Sequence, residues 1–436
     1  MDNAPSCEVQ VDCNTTFAMA PTTLGLALAF LSLTSAQQIG KLPEVHPRLL
    51  TQKCTTKGGC VTQKTSVVLD AGSHPLNAIS TGESCLNATG GIDTSICSTA
   101  KDCGKKCAYD GTNYADNGVR TRGDSLHLRE YLRKDGKVVK VSPRLYLLAE
   151  GGKEYVEMQL VNQELSFDVD MSNLPCGMNA ALYLGAMDAD GGRGRLNPAG
   201  ATYGTGYCDA QCYTPTWLNG VLNEEGLGAC CNEMDIWESN ARATGYTPHA
   251  CNITGFYGCE GDECGPDGVC DKPGCGFNPY ANGAKQFYGL GREFRVDTTR
   301  VFTVTTQFIS ANGKANGRLK EIRRKYKQNG KVIHNVRVVV DDSEYDSITS
   351  AYCTAENADS FQDHGGLKQM GEALSRGMVL TFALWNDDTG FMNWLDAGDA
   401  GPCNDTEGDP KIIIKETPDT NVTFSKIKWG DIGSTS

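Results

Sequence analysis

The sequence predicts an all-β protein built as one large sandwich of antiparallel sheets. Segments that alternate apolar and polar residues, or that are β-branched and aromatic, recur at 144–149, 166–171, 300–309, 378–385 and 421–429. The 50 glycines suit many turns between such short strands, and the 20 cysteines suit a continuous disulfide framework. Together these observations favour a single sandwich domain over a string of smaller modules.

Two local signals stand out between the strands. Asn329-Gly330 predicts a tight hairpin, because its turn requires positive φ. We interpret the basic run around it, 320–331, as a solvated strand face rather than a site for anions. One credible helix spans 365–377. Its apolar residues recur at helical spacing and are interpreted as core: Leu367, Met370 and Leu374.

The charge balance limits the class of partner. The 436 residues include 53 acidic and 40 basic side chains, a formal net charge of −13. Because nucleic acids and anionic membranes are polyanions, neither is expected as a partner. The sequence also has no GxxxxGK(S/T) phosphate loop, no HExxH helix and no GxSxG elbow. Nucleotide, zinc-protease and serine-hydrolase chemistry are therefore not indicated.

An apolar N-terminal run predicts secretion. Residues 24–33 have the length of a signal peptide and are too short to span a membrane, and small residues lead to a cleavage site after Ala36. No positive charge precedes the run, so the initiator is either Met1 or Met19. We expect 1–36 to be a removed signal region. We expect 37–436 to be one catalytic domain without a carbohydrate-binding module, secreted as a monomer.

The cysteine count fits a secreted chain. Removing 1–36 takes away Cys7 and Cys13, so 20 − 2 = 18 cysteines remain, an even number that suits nine disulfides. Zinc binding by CxxxC and the adjacent cysteine pair is the alternative, but CxxC knuckles are absent and disulfides are preferred. Four sequons fit the same compartment and are candidate glycosylation sites: Asn87, Asn252, Asn404 and Asn421.

Three carboxylates crowd the segment CCNEMDIWE. Strand alternation puts Glu233 and Asp235 on one face. Glu238 has the opposite parity and joins that face only if the strand bulges or turns near Trp237. Crowding raises the pKa of at least one carboxyl group, and two carboxyls about 5–5.5 Å apart suit a retaining glycosidase. A surface strand with solvated acids is the alternative.

A second segment, YCDAQC, offers groups that bind sugars. Alternation places Tyr207, Asp209 and Gln211 on one side of a disulfide-braced strand, where they can stack on and hydrogen-bond a sugar. Trp385 and Trp394 lie just past another strand. On pattern alone, their indoles serve equally well as sugar platforms or as core residues.

A family resemblance covers residues 37–436. Long segments resemble glycoside hydrolase family 7, the secreted cellulases found mostly in fungi: CCNEMDIWESN, YCDAQC, TPHAC, PEVHPRL, SFDVDMSNLPCGMNAALY, DKPGCGFNPY, GMVLTFALWND and KWGDIGST. The resemblance implies a concanavalin-like jelly roll of two curved antiparallel sheets with a groove for a β-1,4-glucan. It also implies double-displacement hydrolysis with retention, without a metal or organic cofactor.

The resemblance implies roles by motif position. Glu233 would be the nucleophile, Glu238 the acid/base, Asp235 the carboxyl that orients Glu233, and His249 a supporting residue near the acid/base. The positions that match groove residues are Asn179, Tyr183, Tyr207, Asp209, Gln211, Trp385 and Trp394. The implied disulfides are Cys54–Cys60, Cys85–Cys107, Cys97–Cys103, Cys176–Cys403, Cys208–Cys231, Cys212–Cys230, Cys251–Cys270, Cys259–Cys264 and Cys275–Cys353.

Loop lengths separate the two working modes of this family. Compared with the tunnel-forming cellobiohydrolases, WLNGVLNEEGLGA is short, and the segment from Trp394 to Cys403 is short and lacks an arginine. The tryptophans after Asp70 and one N-terminal disulfide are also missing. The resemblance therefore implies an open cleft and an endo-β-1,4-glucanase acting on cellulose and mixed-linkage glucan. The alternatives are a chain-end cellobiohydrolase and a non-catalytic, lectin-like glucan-binding jelly roll.

Overall fold

Two large sheets pack face to face, which confirms the predicted jelly-roll sandwich. The computed structural model describes residues 38–435, which belong to one compact unit. The predicted signal region 1–36 and the choice between Met1 and Met19 lie outside the described residues. No helix within 38–435 has the length and apolar character needed to cross a membrane.

One sheet, here called the groove sheet, is antiparallel throughout. Its strand order is β19-β18-β14-β29-β11-β4, with β12 also paired to β29. Strands are numbered in chain order, and those of the groove sheet are β4 Ser66–Leu69, β11 Arg144–Leu148, β12 Glu157–Met158, β14 Asn179–Gly185, β18 Glu233–Ser239, β19 Thr244–His249 and β29 Met378–Trp385.

The second sheet, here called the outer sheet, has the order β25-β24-β23-β13-β30-β2-β3, with β28, β7 and β8 attached. Its β2–β30 pair is parallel, unlike the antiparallel pairing expected from the sequence. A parallel pair needs a long connection, and most of the chain separates these two strands. The strands are β2 Thr51–Thr55, β3 Gly59–Gln63, β7 Val119–Arg122, β8 Ser125–Arg129, β13 Gln163–Asp170, β23 Phe302–Ser310, β24 Leu319–Gln328, β25 Lys331–His334, β28 Ser347–Thr349 and β30 Asn421–Asp431.

The remaining strands form small ribbons at the edges. They are β1 Gln38–Ile39, β5 Leu76–Ala78, β6 Cys107–Tyr109, β9 Tyr131–Lys134, β10 Lys137–Lys140, β15 Trp217–Leu218, β16 Val221–Leu222, β17 Gly228–Cys230, β20 Tyr257–Cys259, β21 Tyr288–Gly289, β22 Val296–Asp297, β26 Val338–Val340 and β27 Ser343–Tyr345.

The predicted helix is present, and five shorter α-helices accompany it in the described part of the chain. The helices are α1 Ala100–Lys106, α2 Ser350–Ala355, α3 Asp359–Asp363, α4 Gly366–Arg376, α5 Asn393–Asp396 and α6 Pro410–Glu416. Leu367, Met370 and Leu374 of α4 are buried, as predicted. The other five have only 4–7 residues, too few for a helical period to be visible in the sequence.

Aromatic side chains fill the core between the two sheets. Trp237 of the groove sheet is fully buried and packs edge-on against Phe167 of the outer sheet, with ring centroids 6.0 Å apart. It also contacts Phe302 at 5.9 Å and Tyr326 at 6.5 Å. Because offset and edge-on aromatic pairs stabilise beyond their area burial, these rings fix how the sheets face each other.

The basic hairpin differs in one residue from its predicted solvated face. Asn329 and Gly330 turn with φ of 51° and 75°, as the hairpin requires. Lys320 and Lys327 are exposed, but Arg324 is only 1% exposed. Strand alternation sends every second side chain of β24 inward, and in this strand one of those side chains is an arginine.

All nine disulfides that the resemblance implies are present. Cys208 and Cys212 bridge Cys231 and Cys230, so these sulfurs are not free to bind zinc. The bridge with the longest sequence separation joins Cys176, just before β14, to residue 403, which is 227 residues later. It ties the segment after α5 to the groove sheet. Of the predicted sequons, Asn87, Asn252 and Asn404 are exposed, whereas Asn421 is half-buried at the start of β30.

Glu44 is a buried carboxylate that anchors the N-terminal segment. Its Oε2 lies 3.2 Å from His74 Nε2 and accepts a 3.1 Å hydrogen bond from the Thr112 amide. Its Oε1 accepts a hydrogen bond from the Tyr114 hydroxyl. The Glu44 and His74 side chains are 1% and 0% exposed. Burial opposes ionisation of Glu44, but the hydrogen bonds outweigh it and lower the pKa of this carboxyl group.

The variant Glu44→Gln is expected to lower the free energy of unfolding by about 1–3 kcal/mol at neutral pH. Because the folded pKa is below the unfolded value of 4.5, the carboxylate stabilises the fold fully above that value. The contribution is lost as pH falls through the folded pKa. Chemical denaturation from about pH 7 to about pH 3 should therefore show the difference between the two proteins narrowing with acidity.

The matched control is Glu150→Gln. Glu150 is 69% exposed and pairs with Lys64 at 3.0 Å, so this change should alter stability by less than about 0.5 kcal/mol. A Glu44→Gln difference that stays constant down to about pH 3 would contradict the direction of the pKa shift.

Candidate active site

A cavity of about 1010 Å³ lies over the groove sheet and brings together almost all of the predicted site residues. The predicted residues that line it are Tyr183, Tyr207, Asp209, Gln211, Glu233, Asp235, Glu238, His249, Trp385 and Trp394. Asn179 is fully buried and does not line it. The floor includes Ala181 and Ala383, which lie opposite each other in β14 and β29. Such small side chains leave room above the sheet.

Glu233, Asp235 and Glu238 share one face because β18 bulges near Trp237, where the sequence placed a possible bulge. Asp235 lies opposite Thr247 and Glu238 lies opposite Gly245, so three steps along β18 match two along β19. The pairing with β14 shifts at the same place. Ile236 and Trp237 both point into the core and are fully buried. The extra residue reverses the parity of the strand and turns Glu238 to the side of Glu233.

Glu233 is buried at the base of the cavity. It is 7% exposed, and its Oε2 accepts a 3.0 Å hydrogen bond from the Ala210 amide. Burial, followed by the nearby charges of Asp235 and Asp209, raises the pKa of Glu233 well above its usual range. His249 and the Ala210 amide favour the ionised form but do not outweigh these effects.

His249 joins Asp235 to the backbone beside β18. His249 Nε2 lies 3.0 Å from Asp235 Oδ2, and its Nδ1 lies 3.3 Å from the Asp271 carbonyl oxygen. A carbonyl oxygen only accepts, so a hydrogen bond to Asp271 places hydrogen on Nδ1, whereas hydrogen on Nε2 donates to the Asp235 carboxylate. Burial, then repulsion from Glu238 and Asp209, raises the pKa of Asp235 well above its usual range. The resemblance implied that His249 lies near the acid/base; it contacts Asp235, lies opposite Glu233 in register, and is near enough to Glu238 to favour its ionised form.

Asn179 was expected to line the groove and instead supports Glu238 from below. Its Nδ2 donates a 2.9 Å hydrogen bond to Glu238 Oε1, and its Oδ1 accepts one of 3.2 Å from the Ser239 amide. Both bonds fix the amide orientation. Burial raises the pKa of Glu238, although Asn179 and His249 favour its ionised form. A raised pKa suits a carboxyl group that must donate a proton.

An aromatic wall with a cation behind it faces the carboxylates. The hydroxyls of Tyr183 and Tyr207 lie 3.1 Å apart. The Arg144 guanidinium stacks on the Tyr207 ring at 3.5 Å and pairs with Asp70 at 3.2 Å. Arg144 was not predicted as a site residue, although it is a lone cation that opens the apolar strand RLYLLA. Its charge and stacking hold the tyrosine ring in place.

The YCDAQC segment is a turn rather than the predicted strand. Residues 210–211 form a turn, and Cys212 has a φ of 58°, in the left-handed region outside regular strand geometry. Tyr207, Asp209 and Gln211 still line the cavity, because two disulfides pin the segment against β17 and the residues before β18. The local fold differs from the prediction, while the side chains that face the groove are the predicted ones.

Lys272 is a second cation of the site that was not predicted from the sequence. Its Nζ donates a 2.8 Å hydrogen bond to the Ala210 carbonyl, and its own carbonyl accepts one of 2.9 Å from Gln211. Burial lowers the pKa of Lys272, although Asp209 and Glu233 favour its charged form. It therefore braces the backbone that donates to Glu233.

The two tryptophans form an aromatic platform. Trp385 ends β29, and Trp394 lies in α5, which the Cys176–Cys403 bridge holds near the groove sheet. Their rings are 6.5 Å apart and inclined by 32°. Trp394 is 51% exposed, and Tyr213, beside Arg144, is 48% exposed. Flat, partly exposed rings of this kind can stack on sugar rings.

Comparisons with known proteins agree with these features. A family model described as glycosyl hydrolase family 7 matches residues 39–436. Endo-β-1,4-glucanase celB of Aspergillus oryzae is 55% identical over 414 residues, 95% of this chain and 99% of that protein. The native endocellulase EGI structure of Humicola insolens is 43% identical with a TM-score of 0.86, covering 92% of this chain and 100% of that one. A cellobiohydrolase structure from Daphnia pulex is 36% identical with a TM-score of 0.87, at the same coverages of 92% and 100%. The chain belongs to glycosyl hydrolase family 7.

Proposed function

We propose that the protein is a retaining endo-β-1,4-glucanase that cuts cellulose and mixed-linkage glucan at internal bonds. The observation that carries the proposal is the bulged strand β18, which presents Glu233, Asp235 and Glu238 together in a cavity open to solvent. Family membership supports the same reaction class. The nine disulfides support an extracellular enzyme, and we propose that it acts there as a monomer.

The proposed reaction has two steps. Glu233 attacks the anomeric carbon, and Glu238 gives its proton to the glycosidic oxygen as that bond breaks. A covalent glycosyl-enzyme results. Glu238 then takes a proton from water, whose oxygen attacks the anomeric carbon and releases Glu233. Two inversions leave the configuration unchanged, and the reaction needs no metal or organic cofactor.

The electrostatics of the site favour the acid role of Glu238 and oppose ionisation of the nucleophile. Burial raises the pKa of Glu238, which keeps the acid protonated as pH rises. Glu233 must be ionised to attack, and the charge of Asp235 works against that. His249, which contacts Asp235 at 3.0 Å, favours the ionised form of Glu233 and offsets part of this repulsion. Asp235 therefore tunes and orients the nucleophile, with His249 as its partner.

The exposed ends of the cavity favour internal cutting over chain-end action. Trp394 and Tyr213 are 51% and 48% exposed, so a long glucan can enter from the side. Overall fold does not separate the two modes, because the endocellulase and the cellobiohydrolase have TM-scores of 0.86 and 0.87. Sequence identity favours internal cutting, because it is 55% to the endoglucanase of Aspergillus oryzae and 43% to the endocellulase of Humicola insolens, but 36% to the cellobiohydrolase.

The test is viscosity against reducing ends on soluble carboxymethyl cellulose, with protein beginning at Gln37. We expect viscosity to fall steeply while few new reducing ends appear. Reducing ends that accumulate while viscosity is nearly unchanged would indicate the cellobiohydrolase alternative. Binding without any new reducing ends would indicate the lectin-like alternative.

A further inference from the structure

Arg324 is a buried cation that the proposed mechanism does not use. It lies on β24 of the outer sheet, is 1% exposed and points into the core. Its Nε donates a 3.1 Å hydrogen bond to Thr306 Oγ1. Its Nη2 donates to the carbonyl oxygen of Ile236 in β18, across the sandwich. Within 38–435, no carboxylate forms an ion pair with this guanidinium.

The carbonyl that Arg324 binds belongs to the bulge under the active site. Ile236 lies between Asp235 and Trp237, where the pairing of β18 shifts against both β14 and β19. A bulge leaves backbone groups without their regular ladder partners. An unpaired buried carbonyl is unfavourable, so the donor from Arg324 directly stabilises the bulged geometry.

Aromatic rings, rather than a carboxylate, surround the Arg324 guanidinium. Its Cζ lies 4.3 Å from the centroid of the Tyr246 ring and 5.5 Å from that of Trp237. Ring faces attract the cation without accepting its hydrogens. Nη2 therefore stays available for the Ile236 carbonyl, whereas a neighbouring carboxylate would compete for it. Trp237 is itself a bulge residue, so both contacts act on the same point of β18.

We propose that Arg324 is a positioning residue for Glu238, acting through the Ile236 carbonyl. The bulge alone brings Glu238 to the groove face, since regular alternation would turn its side chain towards the core. Losing the donor favours regular pairing and moves the Glu238 carboxyl away from Asn179 and the scissile bond. Glu233 and Asp235 precede the bulge and keep their face. The inference rests on the proposed function, because it assumes that Glu238 is the acid.

The test compares kcat/KM for two aryl β-cellobiosides. Phenyl is a poor leaving group that needs a proton from the acid, whereas 2,4-dinitrophenyl leaves without one. Arg324→Met is expected to lower kcat/KM about 100-fold for the phenyl glycoside, since small misplacements of a catalytic group cost this much. For the dinitrophenyl glycoside we expect a loss of only a few-fold. Equal losses for both substrates, or no loss for the phenyl glycoside, would overturn the proposal.

Two further variants separate positioning from general destabilisation. Ile322→Ala removes a fully buried side chain from the same strand without touching the bulge, and its ratio of the two kcat/KM values should equal that of wild type. Thr306→Val removes only the acceptor that aligns Nε of Arg324. We expect it to lower the ratio of kcat/KM for the phenyl glycoside to that for the dinitrophenyl glycoside, but less than Arg324→Met does. If Arg324→Met does not fold, an unchanged ratio in Thr306→Val overturns the proposal.

The wild-type protein tests the underlying function in the same assay. If wild type hydrolyses neither cellobioside, the proposed glucanase function fails. If wild type hydrolyses both and the ratio in the Arg324 and Thr306 variants stays at the wild-type value, only the role of Arg324 fails.

Discussion

The variant Glu233→Gln is expected to lower kcat on soluble cellulose by a factor on the order of 10⁴ to 10⁶. This is the range observed when one member of a catalytic set that acts as a unit is removed. A glutamine amide is too weak a nucleophile to form the glycosyl-enzyme, yet it matches glutamate in shape and can still accept from the Ala210 amide. Glucan binding, measured by calorimetry with cellotetraose, should therefore persist.

The control for Glu233→Gln is the same substitution at Glu225, an exposed residue between β16 and β17. It should leave both kcat and binding unchanged. Wild-type kcat in Glu233→Gln would exclude Glu233 as the nucleophile. Loss of cellotetraose binding together with a lowered melting temperature would instead mean that the carboxylate is needed for folding.

The variant Glu238→Gln is expected to lose activity according to the leaving group. Removing a general acid costs about 10² to 10⁴ in rate where the leaving group needs a proton. The kcat/KM for 2,4-dinitrophenyl cellobioside should stay near the wild-type value, because formation of the glycosyl-enzyme then needs no acid. Its breakdown still lacks a base, so kcat falls. Added azide needs no base, and it should restore kcat and yield the β-cellobiosyl azide.

The pH profile of this variant gives an independent check. In wild type, activity falls as pH rises through the raised pKa of Glu238, since the acid loses its proton. Activity also falls as pH decreases, since the Glu233 nucleophile then gains a proton. In Glu238→Gln, the basic limb of kcat/KM for the phenyl glycoside should disappear. An α-azide product, or an intact basic limb, would contradict the assigned role.

The Arg324 and Glu238 variants are linked by one expectation. If Arg324 acts only through the position of Glu238, then Arg324→Met should have little further effect in a Glu238→Gln background. If Arg324→Met lowers kcat/KM by the same factor in the wild-type and the Glu238→Gln backgrounds, the two residues act separately. The bulge of β18 is the physical connection between them.

Much of the site was predictable because its signals are local. Parity along one strand allows Glu238 to join Glu233 and Asp235 only if the strand bulges or turns near Trp237, and the bulge lies at that place. Strand 378–385 and the Asn329-Gly330 hairpin were likewise predictable from period and turn chemistry. Such features depend only on neighbours within a few residues.

Other features depend on contacts between distant parts of the chain, and the sequence alone did not reveal them. Asn179 lies under Glu238 rather than in the groove, because β14 and β18 pair in a shifted register. Arg144 and Lys272 reach the site from separate elements and carry no motif of their own. In the sequence, Arg324 resembles the other basic residues of an exposed hairpin. Only the packing of the outer sheet against β18 brings it to the Ile236 carbonyl.

By itself, the sequence determined the sandwich, the family and the three carboxylates, because alternation and a dense motif are properties of short segments and cysteine number is a property of composition. Only the tertiary structure decided which side chains support those carboxylates and which cation lies beneath the bulge. The physical reason is that hydrogen-bond partners and burial are set by how the two sheets stack, and that packing joins residues that the chain keeps far apart.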